Sequence, residues 1–167
     1  KPSVAQSLAK NLSAYQRKDG YLEGNSCIVS WCLGHLAEYA PPEIYNEKYA
    51  KWQFEDLPII PEVWKVQVSE DKKKQFDVIC SLMNRADVAY LVNGCDAGRE
   101  GELIFKRVYD LAGCQKSVKR LWISSMEDEA IQKGFQSLND GRDYAGLCNA
   151  AVCRAQADWL IGMNATR

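Results

Sequence analysis

A chain of 167 residues only slightly exceeds the usual single-domain size of roughly 100–150, and its 47% hydrophobic, 26% charged and 10% aromatic content excludes a disordered, collagen-like or coiled-coil protein. Lys and Arg total 21 against 22 Asp and Glu, so the net charge of −1 excludes a general attraction to phosphate and confines any nucleic-acid role to local sites. Seven cysteines form neither an even disulfide framework nor a paired CxxC zinc pattern, and no apolar run reaches the roughly 18–20 residues of a membrane span; both point to reduced cysteines, a cytoplasmic location and no membrane partner.

The chain opens on Lys1 and Pro2 without Met and reads as a piece cut from a longer polypeptide. Pro2, with Val4, Leu8 and Leu12 at helical spacing, predicts a helix over 2–14. Tyr21-Leu22 and Cys27–Trp31 are β-branched and aromatic and read as strands. After Gly34-His35-Leu36 comes an irregular stretch from Ala40 to Pro61 with four of the five prolines, expected to be ordered by packing of Tyr45, Tyr49, Trp52 and Phe54. Alternation over 63–68 predicts a strand, and Ser69 is placed to cap a helix carrying Phe76, Ile79, Cys80 and Met83 on one face. Val88 to Val92 has the continuous apolar character of a buried parallel strand. A helix with Leu103, Ile104, Val108 and Leu111 on one face follows and ends near Gly113. Residues 118–123 form another strand, Ser124 and Glu127 a capping box for a helix through Ile131, Phe135 and Leu138, and a last helix runs from Tyr144 to about Gly162. Strand and helix alternate, so the fold class is α/β with a parallel sheet.

The densest chemistry lies at Asn93–Glu102, where a strand ends, a glycine-bearing turn follows and a helix starts. Ligands of open α/β sheets bind outside the carboxyl ends of the strands, which is where this turn falls. Asp96 at the strand end and Glu100 in the first helical turn can face one point, and two carboxylates completed by water and phosphate suit Mg²⁺. Arg99 offers a planar fork for a phosphate oxygen, and a helix N-terminus favours an anion. The same acids also suit plain capping of a helix start.

Asp96–Glu102 resembles the acidic metal motif of the Toprim fold, in the D-x-D-R-E-G-E form of type IA DNA topoisomerases. Asp96 matches the first Asp, Arg99 and Glu100 the R-E pair, and Glu102 the last acid, while Gly98 stands where the second Asp usually is. Lys1-Pro2-Ser3-Val4-Ala5 is similar to the E-K-P-S-x-A opening of the topoisomerase III-like branch, and Trp31–Leu36 to its G-H-L segment. Ala157–Arg167 is similar to A-D-W-L-x-G-x-N-x-T-R, which leaves the Toprim domain for the next, and the Pro41–Pro61 excursion with Trp52 resembles the same branch. The resemblance implies a Rossmann-like Toprim domain over 1–140, its first strand truncated, with a Pro-rich excursion, and a C-terminal helix over 141–167 that begins the next domain.

It further implies an isomerase that cuts one DNA strand through a tyrosine, holds the 5′ phosphate, passes a strand and reseals, with Mg²⁺ as cofactor. Its partners would be single-stranded DNA, or DNA with single-stranded regions, and the remaining domains of the same polypeptide. None of the eight tyrosines falls in a matching motif, so this piece alone is expected to be inactive. Another Toprim phosphoryl-transfer enzyme, a primase or nuclease, and a non-catalytic metal- or nucleotide-binding α/β module are the alternatives. By resemblance Lys1, Arg99 and Glu100 are catalytic, Asp96, Glu100 and Glu102 hold metal, and His35, Arg154 and Arg167 contact nucleic acid. Bland readings stand beside these: a solvated Lys1, a half-buried hydrogen-bonded His35, Arg154 paired with Asp158, a solvated Lys72–Lys74 face, and Trp122 and Trp159 in the core.

Overall fold

Helix α1 (Pro2–Asn11) precedes a meander of β1 (Gln16–Lys18), β2 (Tyr21–Glu23) and β3 (Ile28–Ser30) in the computed structural model, which describes residues 1–165. Then come β4 (Ala37–Tyr39), the excursion with its short 3₁₀ turns, β5 (Val66–Val68), α2 (Lys73–Met83) and β6 (Leu91–Asn93). The chain finishes with α3 (Arg99–Leu111), β7 (Val118–Arg120), α4 (Asp128–Gln136), β8 (Asn139–Asp140) and α5 (Ala145–Ala165). Strands β6 and β7 pair in parallel through the α3 crossover, with Leu91 opposite Val118 and Asn93 opposite Arg120. β8 adds to β7 antiparallel, and β1-β2-β3 and β4-β5 are antiparallel as well.

Successive residues of a strand face opposite sides of the sheet, and β6 uses both. Leu91 packs on a cluster of Leu36, Ile79, Met83, Val108 and Cys114, supplied largely by α2 and α3. Val92 packs on the other side against Leu8, Leu121 and Ile131, where α1 and α4 lie. The sheet thus sits between two apolar layers, as an α/β fold requires. Full burial of each Leu or Ile contributes about 1.5–3 kcal/mol. Phe76, Ile79 and Met83 on α2, Val108 on α3, and Ile131 and Phe135 on α4 occupy the faces expected from their spacing.

Strands are shorter than their apolar runs. Only residues with a partner pair, so β6 starts at Leu91, opposite Val118, and β5 is limited to the three residues that face β4. The capping box at Ser124 does not form: the N-cap is Glu127, and it is Ser125 Oγ that accepts from the Glu127 N–H at 3.2 Å. Ser69 likewise makes no side-chain cap; its carbonyl accepts from the Lys72 N–H at the start of a 3₁₀ turn. In the excursion Tyr45 packs edge-on against Trp159 at 5.7 Å, but Trp52 and Phe54 are exposed, because the turns there point them off the body. α5 closes over the excursion: Trp159 Nε1 donates to the Ala40 carbonyl at 3.1 Å, and Asn164 bonds both backbone polar groups of Ile59. All seven cysteines are free thiols. Among the described residues no helix is long and apolar enough to cross a membrane.

Candidate functional site

The turn after β6 is built from inside. Asn93 is buried, its Oδ1 accepts from the Cys95 N–H at 3.1 Å, and its Nδ2 donates to Glu102 Oε2 at 3.3 Å. Arg120, in the partner strand and only 1% exposed, makes five hydrogen bonds. Its Nε donates to Glu102 Oε1 at 2.6 Å, and its terminal nitrogens donate to the carbonyls of Asn93 (3.0 Å), Cys95 (2.7 Å), Leu121 (2.8 Å) and Asp96 (2.9 Å). A guanidinium has five donors in a rigid fork, and here it binds the turn carbonyls of Cys95 and Asp96 together with those of Asn93 and Leu121 at the ends of the paired strands. Gly101 completes the close packing, since a Cβ there would lie 2.0 Å from the Asp96 carbonyl oxygen.

Gly98, the N-cap of α3, has φ +154° and ψ 177°, a conformation that glycine alone adopts readily. The space around it is open, so the backbone and not crowding restricts this position. Gly98→Asp, which would restore the acid that the motif usually carries, is therefore expected to destabilise the chain by about 1–3 kcal/mol. Urea denaturation of the variant checks this; an unchanged midpoint would refute it.

On the outer surface of the turn the structure brings Lys1 and Asp96 together, with Nζ and Oδ2 3.1 Å apart and both side chains largely exposed. Glu100 Oε2 lies 3.2 Å from His35 Nε2, and the Glu100 side chain is 64% exposed. Two accessible carboxylates thus flank the N-terminus of α3, each held by one basic group. Arg99, in the first turn of α3, is exposed and makes no ion pair among the described residues. Glu102 is placed differently: it is buried, with both oxygens occupied by Arg120 and Asn93. Among the described residues no three His, Cys, Asp or Glu side chains gather as a metal cage. The accessible carboxylates of the turn are therefore Asp96 and Glu100, and exposed carboxylate oxygens are the donor type that suits a cation which keeps much of its water shell.

Beside Glu100 a cavity of about 430 Å³ is lined by His35, Tyr39, Arg107, Arg154, Asp158 and Trp159 among others. Arg154 Nε lies 3.6 Å from Asp158 Oδ2, one helical turn away, so the pairing expected from spacing occurs inside that cavity. Arg167 lies outside the described residues. Trp159 is buried as expected, but Trp122 is 40% exposed and lies against Tyr144, because β7 ends before it and leaves its ring beyond the carboxyl end of that strand. Lys72 is not merely solvated: its Nζ donates to the His35 carbonyl at 2.8 Å and so tethers the segment that carries His35. Sequence reasoning missed Arg107, stacked 4.6 Å from the Tyr39 ring, and Arg120. An arginine inside the apolar run Val118–Ile123 was the available signal for the latter.

Cys95 adjoins Asp96, and burial pushes its thiol up to about 11; burial pushes Cys32 up to about 12. Both stay protonated at neutral pH, so neither supplies a thiolate to the turn.

The profile of the Toprim domain matches residues 1–126. Among curated relatives, DNA topoisomerase 3 of Bacillus subtilis (strain 168) is 48% identical over all 167 residues, which cover 23% of that protein. DNA topoisomerase 3 of Shouchella clausii is 47% identical over the same length, again 23% of its length, and that of Staphylococcus epidermidis 46%, covering 24%. The chain thus spans about a quarter of the length of these relatives.

Proposed function

Because the chain belongs to the Toprim domain family, we propose that it is the Mg²⁺-binding portion of a type IA DNA topoisomerase of the topoisomerase III kind, a cytoplasmic isomerase that cuts and reseals one DNA strand through a tyrosyl 5′-phosphate. The observation that carries this reading is the pair of exposed carboxylates, Asp96 and Glu100, at the carboxyl end of β6, with Lys1 Nζ 3.1 Å from Asp96. Asp96 and Glu100 would hold the ion, with water and a DNA phosphate completing its shell. What Mg²⁺ supplies there is positive charge that offsets the negative charge developing on the phosphate oxygens.

The chain's own groups do the rest. Lys1 Nζ and the Arg99 fork donate to non-bridging phosphate oxygens, and preorganised donors of this kind act where charge develops. Glu100 turns one oxygen to His35, which fixes the carboxylate's orientation and leaves the other oxygen for the ion. Glu102 supports the site through Arg120 and not as a ligand. His35 and Arg154, in the cavity beside Glu100, and Arg167 would contact the backbone of a single strand. Residues 1–140 form the Toprim body in this reading, and 141–167 begin the next domain. The tyrosine nucleophile comes from the remaining polypeptide, in keeping with the quarter of the relatives' length that this chain covers.

Mg²⁺ titration of the chain, followed by calorimetry, tests the proposal. Asp96→Asn is expected to weaken binding about tenfold or more, since it removes a charged oxygen ligand. Equal affinity in the two proteins would remove Asp96 from the site and the proposal with it.

A further inference from the structure

Arg120 holds the Asp96 turn, and something must in turn hold Arg120. Two residues on, Trp122 shares its side of the chain, and the guanidinium carbon lies 4.9 Å from the Trp122 ring centre. Tyr144, immediately before α5, stacks on Trp122 with centroids 4.9 Å apart and planes at 25°, and its ring centre is 5.9 Å from the same guanidinium carbon. Asn139 Nδ2 donates to the Tyr144 hydroxyl at 2.6 Å, which ties that ring to β8. Trp122 is 40% exposed while Arg120 is 1% exposed, so the stacked rings stand between the cation and solvent.

We propose that Trp122 and Tyr144 are positioning residues: their stack covers Arg120, keeps its fork on the carbonyls of Cys95 and Asp96, and couples the acidic turn to the first residues of α5. The physical basis is twofold. Aromatic faces attract a guanidinium, and excluding water strengthens the bonds it makes to the turn carbonyls. Tyr144 precedes a helix that also packs along α3, so a shift of α5 would move the cover and loosen the turn. The part played by Mg²⁺ in this inference rests on the function proposed above; the mechanical coupling does not.

Amide hydrogen exchange in the metal-free chain separates the two. The Cys95 N–H, bonded to Asn93 Oδ1, reports on the turn, and the Ile131 N–H, bonded to the Glu127 carbonyl in α4, reports on overall stability. Tyr144→Leu is expected to speed exchange at Cys95 about three- to tenfold relative to Ile131, and Trp122→Leu to do the same. Tyr144→Phe keeps the ring and loses only the Asn139 bond, so it is expected to exchange closer to the parent than to Tyr144→Leu. Equal acceleration at both amides, no acceleration at Cys95, or a Tyr144→Phe variant as loose as Tyr144→Leu would overturn the proposal. If Tyr144→Leu does not fold, Trp122→Leu decides by the same comparison, and if neither folds the stack is a core element and the positioning role is rejected. A parallel Mg²⁺ titration is expected to show Tyr144→Leu binding about three- to tenfold more weakly at an unchanged Asp96 dependence. Absence of Mg²⁺ binding by the parent chain would count against the proposed function alone, since the exchange result stands without it.

Discussion

Replacing Arg120 by methionine is expected to lower the stability of the chain by about 3–5 kcal/mol, because it removes one partner of a buried ion pair and leaves the other behind. Glu102 Oε1 would lose its 2.6 Å bond while remaining buried, and the carbonyls of Asn93, Cys95, Leu121 and Asp96 would lose a shared donor. A domain of this class has about 5–15 kcal/mol in all, so the loss is a large fraction of it. Urea denaturation followed by far-UV circular dichroism gives the value. The double variant Arg120→Met/Glu102→Leu is expected to recover more than half of the loss, since no unpaired charge is then left inside. A single variant within about 1 kcal/mol of the parent would show that the network contributes little.

Gly101→Ala should cost about 2–4 kcal/mol and displace the carboxylate of Asp96 as well. The added methyl would meet the Asp96 carbonyl oxygen at 2.0 Å, and that atom cannot swing aside as a side chain can, because Arg120 holds it at 2.9 Å. Alanine is otherwise the better helix former by about 1 kcal/mol, so a loss of stability here would oppose intrinsic propensity and report the clash directly. Thermal melts, with roughly 2–4 °C expected per kcal/mol at this size, measure the cost. A variant more stable than the parent would mean that the turn has room the structure does not show.

The two predictions concern the inside of the turn, the part that sequence reading resolved least. Element types in the second half were legible because apolar residues recur at helical spacing on α2, α3 and α4 and run continuously into β6. Strand ends were not, because they depend on where a partner strand stops: Val88–Tyr90 are as apolar as Leu91–Val92, yet pairing begins at Leu91. The surface acids Asp96 and Glu100 and their neighbour Lys1 were legible from motif and resemblance. The closeness of His35 to Glu100, 65 positions apart, has no local signature, and neither has the tether from Lys72 to the His35 carbonyl.

From residue order alone came the α/β alternation, the place of the acidic turn at a strand's carboxyl end, and the Toprim family. Which acids face the solvent was settled by tertiary structure. Glu100 and Glu102 are about 200° apart around α3 at 100° per residue, so one must point outward when the other points to the sheet. A carboxylate turned inward is tolerable only beside a matching cation. That cation is Arg120, 18 positions away, brought there by the parallel register that sets Asn93 opposite it. The pattern of charges was local and could be read, whereas the division of labour among them depended on two strands meeting.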